Sequence, residues 1–492
     1  MIPVSLPFES HHTTQITMTP IFTKRHRFNF ALSMIASLLI LSGTVLAAEW
    51  HSIDTNNGHI DSIWDQITPA YTDDVNNTDI YDKDELKQAW YAYDGDAIYF
   101  KFTSWHSTDI LYSDFKQGVA AIDCNENNLF DDADDRKIIF LNNGDVQITS
   151  GDAATTIITR ADWGEQDGPT IEWQGPLKYL PVACRGSLHP VSIKLFIQRN
   201  SDNVIMSQAD GTYTIDNPMD FGDAGNWVDP GSQTCQDYST LLFCNGPRHG
   251  ITPLHLGAHV DADSGELQNS RATADDLDNS ADEDGVAPRQ GETWVAGGQG
   301  HLDVTVSGGY GNLNCWVDWN RDQDFAANEL IIDDSLVGSG YQMLTTTIPA
   351  FVTFDGPYMA RCRVAAGPDL ATMPEGAVMS GEVEDYDWLI LSPQPTISTP
   401  SLDLVFQWPY LSQDDEEQVY KSDSPYFRRE DATSLGWSGT SGTATDYAVL
   451  GLPADTFFYQ VIGSKSVDGD QLYSTPSKEM GLFEFELVVG TS

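Results

Sequence analysis

The stretch "CWVDWNRDQDFAANE", residues 315–329, places oxygen-bearing side chains at regular intervals after an apolar, strand-like start. Counted from the first aspartate, the donors fall at positions 1, 3, 5, 7 and 12, and they are Asp318, Asn320, Asp322, Asp324 and Glu329. A loop that curls around Ca²⁺ presents alternate side chains inward, and a final carboxylate closes a shell of about six to eight oxygens. The spacing therefore predicts a structural calcium site.

Position 6 of this loop departs from the pattern. A calcium loop places glycine there for a sharp turn, whereas this chain has Gln323. The flanking residues are also typical of strands, so the sequence predicts a calcium loop within a β-sandwich and not between two helices.

A second run, "AIDCNENNLFDDADD" (residues 121–135), also begins after an apolar strand end. Asn128 occupies its glycine position, and asparagine tolerates the left-handed conformation needed there. Aspartate and asparagine also favour turns without any metal, so that alternative stays open for both loops. The predicted calcium donors of the second loop are Asp123, Asn125, Asn127, Asp131 and Asp134.

Net charge restricts the classes of partner. The 492-residue chain carries 73 acidic and 25 basic residues, a formal charge of −48. Nucleic acid and anionic lipid are therefore not expected partners, because the chain would repel both. Bound divalent cations would relieve the repulsion among the acids locally.

The first 48 residues resemble an export signal, with Lys24, Arg25 and Arg27 before an apolar run that ends in small residues. The alternative is a membrane anchor, but the apolar run is short for a span. We expect cleavage after residue 47 or 48 and a secreted or cell-surface protein with no later membrane span. Removing this segment also removes Glu9, which leaves 72 acidic and 22 basic residues, a charge of −50.

An even number of cysteines in an exported chain favours disulfides. Six cysteines allow about fifteen pairings, and their order along the chain predicts one bridge per module. The predicted pairs are Cys124–Cys184, Cys235–Cys244 and Cys315–Cys362.

Short alternating runs bounded by Gly, Asn, Asp and Pro recur along the chain, and helical periodicity is almost absent. This pattern predicts an all-β protein with three β-sandwich modules in a row. The expected divisions are a signal peptide at 1–48, a first sandwich at 49–213, an irregular acidic lead-in at 214–290, a second sandwich at 291–391, a linker at 392–400 and a third sandwich at 401–492.

The middle of the chain, residues 220–391, resembles proteins of the GEVED domain family. The motif "GEVEDYDW" (residues 381–388), the acidic loop and "FDGPYMARCRVA" (residues 354–365) carry the resemblance, and the acidic lead-in is similar to segments that precede such domains. The segment with Cys235 and Cys244 is an insertion relative to that pattern. The resemblance implies an exported bacterial β-sandwich with binding or structural roles. Glu384 or Asp385 is a further candidate calcium ligand, the alternative being an ion pair with Arg361 or Arg363.

The first module resembles, more weakly, β-sandwiches of the family 9 carbohydrate-binding and DOMON types, through "GHIDSIWDQITPAYTDD" and "LKQAWYAYDGDAIYFKF". Residues 401–490 are similar in pattern to fibronectin type III domains. Tryptophans can stack on sugar rings, although most tryptophans in sandwiches are in the core. Trp163 and Trp173 lie in a polar stretch and are the surface candidates for glycan binding.

No catalytic motif is evident, and the pair His255 and His259 has no glutamate in the order that a zinc hydrolase needs. The sequence therefore predicts an exported, calcium-stabilised, non-catalytic surface or adhesion protein that binds a glycan or another cell-surface ligand. The alternatives are an extracellular glycan-active hydrolase and an architectural spacer. Oligomeric state stays open.

Overall fold

The structure is a computed structural model, and the predicted signal segment lies outside the residues that it describes. Those residues are 50–74, 85–105, 116–199, 201–226, 235, 237–274, 282–289, 292, 294–352, 357–368, 370–389, 396–398, 403–408, 416–424, 428–429, 432–435, 443–446, 457–467, 470–474, 476–477 and 480–482.

The described residues are almost entirely β-structure, which confirms the predicted fold class. The strands of the first region are β1 (Tyr71–Thr72), β2 (Leu86–Tyr93), β3 (Ala97–Ser104), β4 (Lys116–Asp123), β5 (Arg136–Phe140), β6 (Val146–Ser150), β7 (Thr156–Arg160), β8 (Gly164–Asp167), β9 (Thr170–Pro176), β10 (Val191–Arg199), β11 (Ile205–Gln208) and β12 (Tyr213–Ile215).

The strands of the middle region are β13 (Met219–Phe221), β14 (Arg248–Gly250), β15 (His255–Leu256), β16 (Val286–Pro288), β17 (Gln299–Val317), β18 (Leu330–Thr347), β19 (Tyr358–Ala365), β20 (Ala377–Val378) and β21 (Glu382–Trp388). Those of the last region are β22 (Thr396–Ser398), β23 (Leu404–Gln407), β24 (Glu416–Ser422), β25 (Thr433–Ser434), β26 (Thr443–Asp446), β27 (Phe457–Val467), β28 (Asp470–Tyr473) and β29 (Met480–Leu482). The short 3₁₀ helices among the described residues span Ser62–Gln66, Leu177–Tyr179, Val182–Cys184, Leu242–Cys244 and Ala327–Glu329. Among the described residues, every helix is too short or too polar for a transmembrane segment.

The first region is a sandwich of two antiparallel sheets. One sheet has the strand order β1-β2-β3-β9-β8, and the other has the order β11-β10-β4-β5-β6-β7 with β12 beside β10. Alternate residues of both sheets meet in one core, where Phe100 and Phe102 of the first sheet pack with Ile138 of the second. Burial of these apolar side chains holds the two layers together.

The middle region is built on the long strand β17, which pairs with β15, β16, β18 and β19, and β21 continues the sheet beyond β19. A separate small sheet has the order β13-β14-β20. Two buried arginines join the middle region to the first. Arg185 donates to the carbonyl of Ser264 (2.9 Å), and Arg248 donates to the carbonyl of Gly95 (2.6 Å).

The last region has the sheets β22-β23-β26 and β25-β24-β27-β28, with β29 beside β27. Phe406 from one sheet and Tyr459 from the other share a core, as expected of a sandwich. The module boundaries stay predictions.

All three predicted disulfides are confirmed. Cys124–Cys184 ties the end of β4 to a 3₁₀ helix, and Cys315–Cys362 joins directly opposed residues of β17 and β19. Cys235–Cys244 closes a short segment within the predicted insertion. We call residues 235–244 the insert loop.

Candidate functional site

The first acidic segment lies at the end of a buried strand. Strand β17 ends at Val317, and a loop of residues 318–329, here called the 318 loop, leads through a 3₁₀ turn into β18. Asp318 is fully buried, so its carboxylate needs hydrogen-bond donors. One oxygen accepts from the amides of Arg321 (2.6 Å) and Asp322 (3.3 Å), and the loop curls around this carboxylate.

The closing glutamate behaves in the same way. Glu329 is fully buried, and its two oxygens accept from the amides of Asn320 (3.3 Å) and Ala326 (3.0 Å). Burial raises the pKa of the Glu329 carboxyl, and the nearby charges of Asp318 and Asp322 raise it further. The fold of the loop therefore keeps the acidic groups of Asp318, Asp322 and Glu329 close together although like charges repel.

Three of the five predicted donors of this loop come together. One carboxylate oxygen from each of Asp318, Asp322 and Glu329 lies within 4.8 Å of the others. Among the described residues, this is the one place where three or more acidic, histidine or cysteine side chains are close enough to share an ion. Clustered carboxylate oxygens are ligands suited to a hard cation such as Ca²⁺.

The two remaining donors have backbone roles. The side-chain oxygen of Asn320 accepts from the amide of Asp322 (2.8 Å), and that of Asp324 accepts from the amide of Phe325 (2.8 Å). Gln323 adopts φ of 69°, so it makes the left-handed turn for which glycine is the usual residue.

The second acidic segment, residues 123–135, is here called the 123 loop, and it begins with the same turn. Asp123 is buried and accepts from the amides of Asn127 (3.2 Å) and Asn128 (2.8 Å). Asn125 accepts from the amide of Asn127 (3.3 Å), and Asn128 adopts φ of 63°. These contacts match position for position those of the 318 loop.

The second half of the 123 loop differs from the prediction. Asp131 and Asp134 are exposed, and the loop is closed by acids that the spacing did not select. Asp135, fully buried, accepts from the amides of Cys124 (3.0 Å) and Asp132 (3.1 Å), and Asp132 accepts from the side-chain amide of Asn125 (3.3 Å).

The 318 loop has neighbours that are distant in sequence. The hydroxyl of Tyr238, in the insert loop, donates to Asp318 (2.7 Å), and its ring packs on Phe325 with centroids 4.8 Å apart. The Arg361 guanidinium lies 5.0 Å from the Phe325 ring and donates to the carbonyl of Tyr238 (3.3 Å). No local spacing in the sequence indicates these contacts.

The GEVED motif acids do not complete this group of oxygens. Asp385 makes a fully buried ion pair with Arg361, at 2.7 and 2.8 Å, which confirms the alternative assignment for that residue. Glu384 accepts from the amides of Asp284 (3.0 Å) and Gly285 (2.8 Å) instead. Burial raises the pKa of Glu384 to about 8.

The surface prediction for Trp173 is wrong. Its side chain is fully buried in the first sandwich, with its ring 4.7 Å from that of Phe102 and its indole N–H donating to the carbonyl of Ile138 (3.3 Å). The polar neighbours of Trp173 in the sequence suggested exposure, but the second sheet covers this face of β9.

Trp163 is also buried, with a relative exposure of 7%, so its surface prediction is wrong as well, but it lies beside a cavity. Its ring lies 5.3 Å from that of Tyr179, and both line a cavity of about 350 Å³. We call this cavity the Trp163 cavity. Phe243 of the insert loop packs edge-on to Tyr179 at 6.4 Å, and the cavity extends to Asn245 and Arg248 of the middle region.

The first module also contains a pair of facing acids. Glu165 of β8 is opposite Glu172 of β9, and burial raises the pKa of Glu172 to about 8, with the Glu165 carboxyl adding to the rise. Glu172 is fully buried and accepts from the indole N–H of Trp64 (2.6 Å) and the amide of Asp61 (3.1 Å). It does not line the Trp163 cavity.

Comparison with known families identifies one part of the chain. Residues 312–388 match the GEVED domain family. The matched GEVED region includes the last residues of β17, the whole 318 loop, β18, β19 and β21. The match confirms the resemblance to GEVED domains over residues 312–388. The similarity of residues 220–311 to segments of that family stays a prediction. No curated protein matches the chain significantly.

Two solved structures illustrate the structural matches. Pectate lyase Pel3 from Pectobacterium carotovorum is 15% identical, with 20% of this chain and 29% of that chain covered and a TM-score of 0.15. The FN1-FN3 domains of chicken CNTN1 are 7% identical, with 80% of this chain and 96% of that chain covered and a TM-score of 0.16. At such scores, neither similarity supports a functional argument.

Proposed function

We propose that this extracellular-type β-domain protein is exported, stabilised by calcium and non-catalytic, and that it binds a glycan in the Trp163 cavity. The observation that carries the binding role is the cavity itself, whose aromatic side chains Trp163 and Tyr179 lie beside the polar groups of Gln174 and Asn245. Ligand sites are typically concave and combine apolar rings with a few placed polar groups.

Calcium has a supporting role in this proposal. Asp318, Asp322 and Glu329 would hold the ion, because their oxygens already converge. At millimolar calcium and a Kd of about 0.1 mM, one site would stabilise the fold by about 1.4 kcal/mol. The three disulfides accord with an oxidising, extracellular location.

The non-catalytic assignment is supported by the burial of the facing acids. A glycosidase needs two carboxyl groups that both reach the scissile bond. Glu172 is covered by Trp64 and has no exposed surface, so the pair Glu165 and Glu172 does not offer such a site.

A glycan array probed with the chain from residue 49 onward tests the proposal, followed by incubation of each bound glycan with the protein and analysis of the products. Retention without cleavage supports a binding protein, and fragments of defined length would establish the hydrolase instead. Tyr179→Ala should abolish retention. Tyr310→Ala is the matched control, because Tyr310 is 77% exposed on β17 and does not line the cavity. Absence of any bound glycan would overturn the binding role.

A further inference from the structure

The charges around the Trp163 cavity are unlike those of the rest of the chain. In a protein with a formal charge of −48, Arg160 and Lys178 both line this cavity, and both are exposed. Arg160 lies 6.0 Å from the Trp163 ring and Lys178 lies 5.6 Å from the Tyr179 ring. Among the described residues, neither cation has a recorded ion pair.

Several basic groups elsewhere in the described chain are held in ion pairs. Arg361 pairs with Asp385, Arg199 with Asp202, and Lys421 with Asp446. Arg160 and Lys178, by contrast, lie beside one cavity, each near an aromatic ring. Their ammonium and guanidinium groups therefore remain available to an anion from outside the chain.

The lining acids do not cancel these two charges. Asp96 pairs with the buried Arg248, which also donates to the carbonyls of Gly95 and Gly246 (both 2.6 Å). Asp162, the remaining acid of the lining, contributes one negative charge, whereas Arg160 and Lys178 contribute two positive charges. The rim is consequently net positive, in contrast to the strongly negative chain around it.

We propose that the Trp163 cavity selects an anionic saccharide, one that carries carboxylate or sulfate groups, over a neutral one. This proposal rests on the glycan-binding function proposed above and specifies the ligand class. The acidic group would lie between Arg160 and Lys178, and a sugar ring would pack against Tyr179. The volume of about 350 Å³ lies near the lower end of ligand pockets and suits a short saccharide segment.

The two cations have separable geometric roles. Arg160 ends β7, so the sheet fixes its backbone, and its planar guanidinium can bind a carboxylate or sulfate through two parallel hydrogen bonds. Lys178 lies in the 3₁₀ helix Leu177–Tyr179 and contributes a mobile point charge. The arginine should therefore dominate selectivity.

Isothermal titration calorimetry on the chain from residue 49 tests this with three probes: a trigalacturonate, the same trimer with its carboxyl groups reduced to alcohols, and a sulfated trisaccharide. We expect the reduced trimer to bind at least tenfold more weakly than the trigalacturonate, from the loss of charge-assisted hydrogen bonds. Affinity for the charged probes should fall as NaCl increases. The stronger of the two charged probes identifies the anionic group.

Arg160→Gln with Lys178→Gln should remove the preference for the charged trimer, and both positions are exposed, so the variant should fold. Lys194→Gln with Arg199→Gln is the control, with the same charge change on β10, away from the cavity. Equal affinity for charged and reduced trimers, or an unchanged preference in the first variant, would overturn the inference and leave glycan binding intact. If no saccharide binds at all, the proposed function itself fails.

Discussion

The 318 loop and the 123 loop begin alike and end differently. Both start with a buried aspartate at a strand end that accepts from the amides at positions 5 and 6, and both have left-handed residues at positions 4 and 6. In the 318 loop, the buried closing acid is Glu329 at position 12. In the 123 loop, it is Asp135 at position 13.

The surroundings of the two loops also differ. An arginine supports each loop, but Arg361 is fully buried and paired with Asp385, whereas Arg136 is half-buried and donates to the carbonyls of Ala133, Asp134 and Asp135 at 2.7–3.1 Å. A shared turn is therefore not enough to bring carboxylates together. The residues that close the loop and pack around it determine whether they converge.

The largest expected effect concerns these arginines. Arg361→Met should lower the free energy of unfolding by about 3–5 kcal/mol, because it leaves Asp385 buried without its cation. Arg136→Met should cost about 1–2 kcal/mol, since water can replace part of the lost hydrogen bonding. Urea denaturation of both variants measures the difference. Equal losses would show that the two arginines support their loops to the same degree.

Next in size is the disulfide of the insert loop. Cys235→Ser with Cys244→Ser should cost about 2–3 kcal/mol, and it should loosen Tyr238 from Asp318. Hydrogen exchange is the measurement: the amides of Asp322 and Gln323 should exchange faster, whereas those of Asn127 and Asn128 in the 123 loop should not change. Equal acceleration in both loops would contradict the specific link.

Glu172 is another buried acid, and its carboxyl group is neutral in the folded state because it holds a proton. Its pKa is about 8 when folded and near 4.5 otherwise, so between pH 6 and 7 the folded state holds a proton that the unfolded state lacks. Stability should therefore fall as pH rises, by about 1.4 kcal/mol per pH unit from this group, and should level off above pH 8. In chemical denaturation, Glu172→Gln should remove the part of the slope that this group contributes, whereas the part from Glu384 should persist, with the exposed Asp131→Asn as control. An unchanged slope would mean that Glu172 is charged in the folded state.

The expected stabilisation by calcium is the most direct difference between the two loops. Relative to EDTA, millimolar calcium should stabilise the wild type by about 1.4 kcal/mol per site. Asp318→Asn should remove the contribution of the 318 loop, and Asp123→Asn should leave it in place, because three converging carboxylates were found in the former. Melting curves with calcium and with EDTA measure this. A response lost only in Asp123→Asn would reverse the comparison.

The smallest effect is expected at Tyr238. Tyr238→Phe removes one hydrogen bond to Asp318 and keeps the packing on Phe325, so stability should fall by about 1 kcal/mol. The calcium-dependent shift in melting temperature should persist, because Tyr238 supplies a donor and not a ligand oxygen. Loss of that shift would show that the hydroxyl positions Asp318 for the ion.

Several features could be predicted because they depend on local pattern. Alternation of apolar and polar residues indicated the strands, and the order of the cysteines indicated all three disulfides. Asp318, Asp322 and Glu329 were selected by spacing alone. Position 6 was also identified, although Gln323 adopts the left-handed conformation without being glycine.

The prediction that Trp173 is exposed failed because both faces of strand β9 are covered. Glu172 and Trp173 are neighbours that point to opposite sides of β9, and both are fully buried. The second sheet covers the tryptophan, and Trp64 covers the glutamate. A polar sequence around Trp173 could not show this, because the covering residues come from other parts of the chain.

The β-strands, the disulfide pairs and the start of each acidic loop could be read from the amino-acid order, because these follow from side-chain alternation, cysteine order and hydrogen bonds that span only a few residues. The packed fold was needed to show which acids converge, that Tyr238 contacts Asp318 and that Arg160 and Lys178 flank one cavity. The physical reason is that burial, charge pairing and cavity shape depend on residues brought together from distant positions, and each of those contacts exists only after the sheets have packed.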